Sequence, residues 1–197
     1  MIKIFEYFAD LLDERFKRGV VTTEDSVRYT FFAALLDSGI KPHEVVLEYP
    51  HPAIDRAKID TWIPAYDGGS VALEFKYDRD PPGGLNQPKT QKAGHVFKDL
   101  YRQLHVATGV KVRSYFVYIT SQEMATYFQN PNNGHSEFWD LATDHSLDMV
   151  ESYFTAKPKT FINAVGGAFN ARVVGACSRT LSGDNHLRAY EVMSSER

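Results

Sequence analysis

The chain has 197 residues, 43% of them hydrophobic and 13% aromatic, with 22 Lys and Arg against 25 Asp and Glu and a formal net charge of −3. That length and composition suit one ordered domain with a sizeable core, and the slight negative charge argues against a protein that coats a polyanion through its overall field. Cys177 is the only cysteine, which excludes an intrachain disulfide and a cysteine-built metal site; no apolar run approaches the roughly 20 residues of a membrane span, and Met1 to Glu6 lacks the layout of a signal peptide, so a cytoplasmic location without a membrane partner is expected.

Ile4, Phe5, Phe8, Leu11, Leu12 and Phe16 recur at helical spacing and predict an amphipathic helix over 3–18, closed by Gly19. A second helix is expected from the N-cap candidates Thr22 and Thr23 to about Asp37, with Val27, Phe31, Ala34 and Leu35 on its core face. A short strand at 44–49 ends at Pro50, and strands follow at 57–65 and 70–77. Asp78 to Gly94 reads as the longest loop because Pro81-Pro82-Gly83-Gly84 punctuates it. A helix over about 94–107 carries Val96, Phe97, Leu100 and Leu104 on one side, and a strand over 110–120 ends in a nearly continuous apolar run, the mark of an inner strand. Helices are expected at 121–129, 136–142 and 146–154, with a short one at 159–165. Ala171 to Ser178 and Leu187 to Met193 read as a hairpin around the Leu181–Asn185 loop.

The chemistry concentrates in Lys58-Ile59-Asp60-Thr61-Trp62-Ile63 and Val71-Ala72-Leu73-Glu74-Phe75-Lys76. Alternate side chains on a strand share a face, so Ile59, Thr61, Ile63, Val71, Leu73 and Phe75 form an inward row. Asp60, Glu74 and Lys76 point the other way. With Asp67-Gly68-Gly69 as a three-residue turn, Asp60 faces Lys76 and Trp62 faces Glu74; a two-residue turn would put Asp60 on the wrong face. Paired carboxylates can hold a divalent cation, and a neighbouring lysine can polarise water. The same residues on a solvated face would form only an Asp60–Lys76 ion pair, so spacing alone leaves both readings open.

Through residue 120 the order is helix, three strands, helix, strand, which gives a mixed sheet with helices on both faces. With Asp60 at the start of the second strand and Glu74-Phe75-Lys76 on the third, 20–120 resembles the PD-(D/E)XK nuclease superfamily, the restriction-endonuclease-like fold. Ile59 stands where many members have Pro. The resemblance implies an α/β fold with an αβββαβ core in a single domain over 1–197, the residues from 121 to 197 forming a helical and β-hairpin extension that matches nothing and would serve dimerisation or substrate choice. It implies Mg²⁺, with Mn²⁺ as a substitute, held by Asp60, Glu74 and the backbone carbonyl of Phe75, with Glu24 on the first core helix reaching that ion or a second. Lys76 would orient the attacking water, and hydrolysis would leave a 5′-phosphate. The implied substrate is nucleic acid, DNA first, and a homodimer would let both strands be cut.

Residues 76–113 carry eight Lys and Arg against three Asp, while 114–156 carry six acids and no Lys or Arg. The basic segment follows the carboxylate hairpin directly, as a polyanion approaching that hairpin would require. His95, Lys98 and Arg102 form one helical stripe and are the candidate phosphate contacts; the plainer alternative is a solvated outer face. Asp99 beside Arg102 reads as a surface ion pair worth little, and Gln103 could line the site. Asp144-His145 with Asp148 reads more readily as ordinary surface than as a second metal site, Asn130 to His135 as a turn, and Gly166-Gly167 lacks the strand-to-helix setting of a phosphate loop. The rival class is a non-hydrolytic module on the same fold, binding nucleic acid or protein in a larger assembly.

Overall fold

The computed structural model describes residues 1–79, 88–106 and 111–195. Its elements are α1 (Ile2–Lys17), α2 (Glu24–Asp37), a 3-10 turn (Pro42–Glu44), β1 (Val46–Pro50), β2 (Lys58–Tyr66), β3 (Gly69–Asp78), α3 (Lys89–Leu104), β4 (Val112–Ser121), α4 (Gln122–Gln129), a second 3-10 turn (Pro131–Asn133), α5 (Ser136–Trp139), β5 (Ser146–Met149), α6 (Glu151–Thr155), α7 (Lys159–Val165), β6 (Ala171–Leu181) and β7 (Asn185–Met193). All seven strands form one sheet in the order β1-β2-β3-β4-β7-β6-β5. Among the described strands β3 and β4 form the one parallel pair, and α3 is the crossover that such a pair needs. This is an α/β protein with a mixed sheet flanked by helices.

Period two divides the central strands between two cores. Leu73, Phe75, Tyr115, Val117 and Ile119 pack with Phe5, Phe8 and Phe31 from α1 and α2. Phe116 and Tyr118 pack on the other face with Phe97, Phe128, Trp139 and Phe161. Burial of this much aromatic surface on both faces stabilises the sheet by roughly 25 cal/mol per Å² of apolar area removed from water. β4, an inner strand as its apolar run implied, joins the two cores. The helix starts follow local chemistry: the Thr23 hydroxyl accepts from the Ser26 N–H at 3.2 Å and caps α2.

The structure corrects several sequence expectations. The C-terminal hairpin is no appendage: β7 pairs along β4 from Ser114↔Val192 to Ser121↔Asn185. β6 and β5 then carry the same sheet to its far edge. Residues 146–154 are not one helix. Ser146–Met149 pairs with β6, Asp148 accepting two hydrogen bonds from Arg172 across the ladder at 2.6 and 2.9 Å, and helix resumes only at Glu151. The helix expected over 136–142 ends at Trp139. α3 begins at Lys89, five residues before the expected start at 94. The Pro81–Gly84 part of the preceding loop lies outside the described residues, as does the expected strand start at Val110. Among the described residues no helix is long and apolar enough to cross a membrane.

Candidate functional site

The β2–β3 turn decides which residues meet. Asp67 (φ 49°) and Gly68 (φ 76°) form a two-residue turn between Tyr66 and Gly69, not the expected three-residue one. Alone, that turn would reverse the face of Asp60. A bulge between Ile63 and Tyr66 absorbs one residue, and the ladder settles at Ile63↔Val71, Trp62↔Ala72 and Thr61↔Leu73. The expected opposition of Asp60 to Lys76 and of Trp62 to Glu74 is therefore replaced. Trp62 faces Ala72, and the next residues in line are Asp60 and Glu74.

There the two strands part. Ile59 leaves the row of Ile63 and Leu73 and packs with Ala72 and Val106, so β2 has turned about its axis at Asp60. In the fork, Asp60 Oδ2 accepts the Phe75 N–H at 2.8 Å. This is an N–H that the broken ladder leaves without a strand partner. Asp60 Oδ1 accepts from Arg28 of α2 at 3.0 Å, and Arg28 also donates to Glu48 at 2.6 Å and to Asp25.

Glu74 lies on the opposite face, under α3. Its Oε1 accepts from Arg102 Nη1 at 2.9 Å, and Gln103 Nε2 lies 3.5 Å from Oε2. The buried Gln103 is held by the Ser114 hydroxyl, which donates to its backbone and side-chain oxygens at 3.0 and 2.5 Å. Arg102 Nη2 donates to the Lys58 carbonyl at 3.0 Å. His51 fixes this end of α3: its Nδ1 accepts the N–H groups of Ala53 and Ile54, both at 3.1 Å, so its Nε2–H donates to the Arg102 carbonyl at 3.1 Å. Lys76 Nζ lies 3.8 Å from Asp99 Oδ2, and Asp99 Oδ1 lies 3.6 Å from Arg102.

These contacts set the charges. Burial, then the charge of Asp60, push the Glu74 carboxyl up to about 8, outweighing Arg102. Asp60 is raised by burial, and the Phe75 N–H and Arg28 oppose that rise. Glu24 and Glu48 add to it. Asp99 is raised by burial against the pull of Lys76 and Arg102. Two carboxyl groups from the ends of one fork thus repel each other in a poorly solvated place, where a proton or a cation relieves the repulsion.

Of the residues singled out in the sequence, Glu74, Lys76 and Arg102 meet around Asp99, whereas Asp60 is held by Arg28 and the Phe75 N–H and acts on Glu74 through its charge. The one face expected to carry Asp60, Glu74 and Lys76 together is not formed, because β2 turns at Asp60. Glu24 is exposed and accepts the Tyr77 N–H at 3.1 Å, close enough for its charge to act on Asp60. Among the described residues no three His, Cys, Asp or Glu side chains converge to hold a metal ion. The donors present are the two carboxylates, hard oxygen ligands, with the Phe75 N–H on Asp60 bringing that backbone alongside. Mg²⁺ characteristically takes one or two carboxylates and keeps its waters, so the set fits such an ion, provided that Arg28 and Arg102 share or yield the oxygens they now hold.

His95 and Lys98 lie farther along α3, toward α7. Both line a cavity of about 410 Å³ with Thr160 and Asn163. Asp99 is no loose surface pair: its side chain is 16% exposed and bridges Lys76 and Arg102. Sequence reasoning missed Arg28 and Ser114. For Arg28 the signal was its place one turn after Glu24 and Asp25; for Ser114 there was none. The Asp144-His145-Asp148 set dissolves, since Asp148 is engaged by Arg172 and His145 Nδ1–H donates to the Thr143 carbonyl at 3.2 Å. Asn130 caps a 3-10 turn, as the turn reading required. Comparison of the chain with protein-family models, with curated proteins and with solved structures finds no match.

Proposed function

We propose that the chain is a Mg²⁺-dependent nuclease of the restriction-endonuclease-like class, hydrolysing phosphodiester bonds of nucleic acid, DNA first. The observation that carries this reading is the fork itself: Asp60 and Glu74, from separating ends of antiparallel strands, are two partly desolvated carboxyl groups, Asp60 seated on the Phe75 N–H and its charge acting on Glu74. The run α2-β1-β2-β3-α3-β4 agrees in order with the αβββαβ core of that class. When bound, the cation would lower the pKa of a coordinated water and offset charge on the phosphate in the transition state. Asp60, Glu74 and the Phe75 carbonyl would hold it, with Glu24 acting on Asp60 through its charge. Lys76, restrained by Asp99, would orient the attacking water. Arg102 would hold Glu74 in place and lie within reach of a substrate phosphate. In this reading the C-terminal strands complete the sheet and leave substrate choice to the α3–α7 side.

One observation favours a second reading. Arg28 and Arg102 already occupy oxygens of the two acids, which is what a non-hydrolytic binding module stabilised by internal polar pairs would show. Incubating the protein with plasmid and linear DNA, in Mg²⁺ or in EDTA, separates the two. Cleavage that requires Mg²⁺ and disappears in Glu74→Ala supports the nuclease; DNA binding without cleavage at any Mg²⁺ concentration supports the module.

A further inference from the structure

Beside the acid pair lies a cavity of about 550 Å³ that the hydrolytic reading leaves without a task. Its size falls in the roughly 300–1,000 Å³ range of sites that enclose small ligands. Lys98, Tyr101 and Arg102 line it from α3, at positions i, i+3 and i+4 on one helix face. Ile54 and Val165 add apolar wall from the two sides. The Gly166-Gly167 turn after α7 closes it, with φ of +97° and +136°; a Cβ at either glycine would meet nothing within 4 Å, so space stands open before this backbone.

The chemistry of the lining is mixed in a specific way. The Tyr101 ring is held by His105 and Phe169, with centroids at 4.5 and 5.4 Å, yet the residue remains 39% exposed. It is a fixed aromatic surface with area to spare. Lys98 forms no ion pair with any described residue, whereas Arg102, one turn on along the same helix, is paired. Arg102 touches both places, lining the cavity while donating to Glu74. A fixed ring, apolar walls and an unpaired cation, joined by one arginine to a candidate phosphodiester site, match the parts of a single nucleotide: base, sugar and phosphate.

We infer that this cavity is a nucleotide subsite that takes one unpaired nucleotide, its base on Tyr101 and its phosphate against Lys98. The link to a scissile strand rests on the nuclease reading; the nucleotide binding does not. The preferred substrate is then single-stranded DNA, an overhang or a duplex with an extruded base, in preference to an intact blunt duplex.

Fluorescence anisotropy in EDTA, with a short labelled single-stranded oligodeoxynucleotide and a blunt duplex of the same length, tests this without turnover. The single strand binds more tightly than the duplex. Tyr101→Ala weakens single-strand binding about 5- to 150-fold and Tyr101→Phe does not. Lys98→Glu, a change at a solvated position, weakens it as well and serves if Tyr101→Ala melts early. Equal affinity for both probes, or insensitivity to both Tyr101→Ala and Lys98→Glu, overturns the subsite. Cleavage assays in Mg²⁺ separate the two ideas. Duplex cleavage indifferent to Tyr101 overturns the subsite and leaves the nuclease. Tyr101-dependent binding with no cleavage overturns the nuclease and leaves the subsite.

Discussion

Replacing Glu74 by Gln removes a charge that the fold resists. The unfolded chain ionises this carboxyl near 4.5, and the folded chain holds the proton up to about 8. Between those values the folded state binds one more proton than the unfolded state, so the contribution of Glu74 to stability is fully present below 4.5 and is lost as pH rises toward 8. Each pH unit in that window is worth about 1.4 kcal/mol. From about pH 5 to about pH 8, three such units give a decline of about 4 kcal/mol in the wild type. Glu74→Gln carries no titrating proton, and its amide oxygen still accepts from Arg102. The stability of the variant minus that of the wild type should therefore grow by about 4 kcal/mol over this range and level off above it. Urea denaturation of both proteins at successive pH values measures the difference, in which titrations common to the two cancel. A difference that stays constant with pH, or that shrinks as pH rises, would refute the account of a buried, mutually repelling pair. Saturating Mg²⁺ should flatten the wild-type decline and leave the variant unchanged, because a ligand that binds only the folded state stabilises it.

Asp60→Ala should act in the opposite sense, costing about 2–4 kcal/mol near neutral pH in the same denaturation assay, because it strips the Phe75 N–H and Arg28 of their shared acceptor. Lys76→Ala should lower turnover about 100-fold or more in a cleavage assay while DNA affinity in EDTA stays near the wild-type value; a parallel loss of affinity would give Lys76 a binding task instead. Gly94→Ala should lower the melting temperature, at a cost of about 1–3 kcal/mol. Its Cβ would stand 2.5 Å from the Ala164 Cβ and 2.7 Å from the Phe161 carbonyl, so α3 and α7 could not keep their approach. An unchanged melting curve would contradict that close contact.

Where chemistry was local, the sequence was readable. The apolar stripe of α1, the Thr23 cap of α2 and the alternation of Val71, Leu73 and Phe75 each declared an element through neighbours a few residues away. What failed was pairing. Alternation shows that Asp60 and Glu74 belong to strands, but their register depends on a two-residue turn and a compensating bulge that no short-range pattern announces. Ser146–Met149 reads as the start of a helix, and only its pairing with β6, Arg172 reaching Asp148 across the ladder, makes it a strand. The hairpin at the C-terminus was legible as a hairpin; that it completes the central sheet depends on β4 offering a free edge, a fact of the assembled fold. For the site, the acids and Lys76 stood out by spacing, whereas the burial of Asp99 and the double engagement of Arg102 arise only when α3 lies across β3. Side chains that act through long-range packing leave little trace in sequence.

The most direct test of the account is to locate a divalent cation at the fork. Crystals soaked in Mn²⁺ and measured for anomalous scattering should show a peak within coordination distance of both Asp60 and Glu74, with the Arg102 guanidinium drawn off Glu74, and the peak should vanish in Glu74→Gln. At saturating Mn²⁺, arginines still seated on both carboxylates and no peak between them would contradict it.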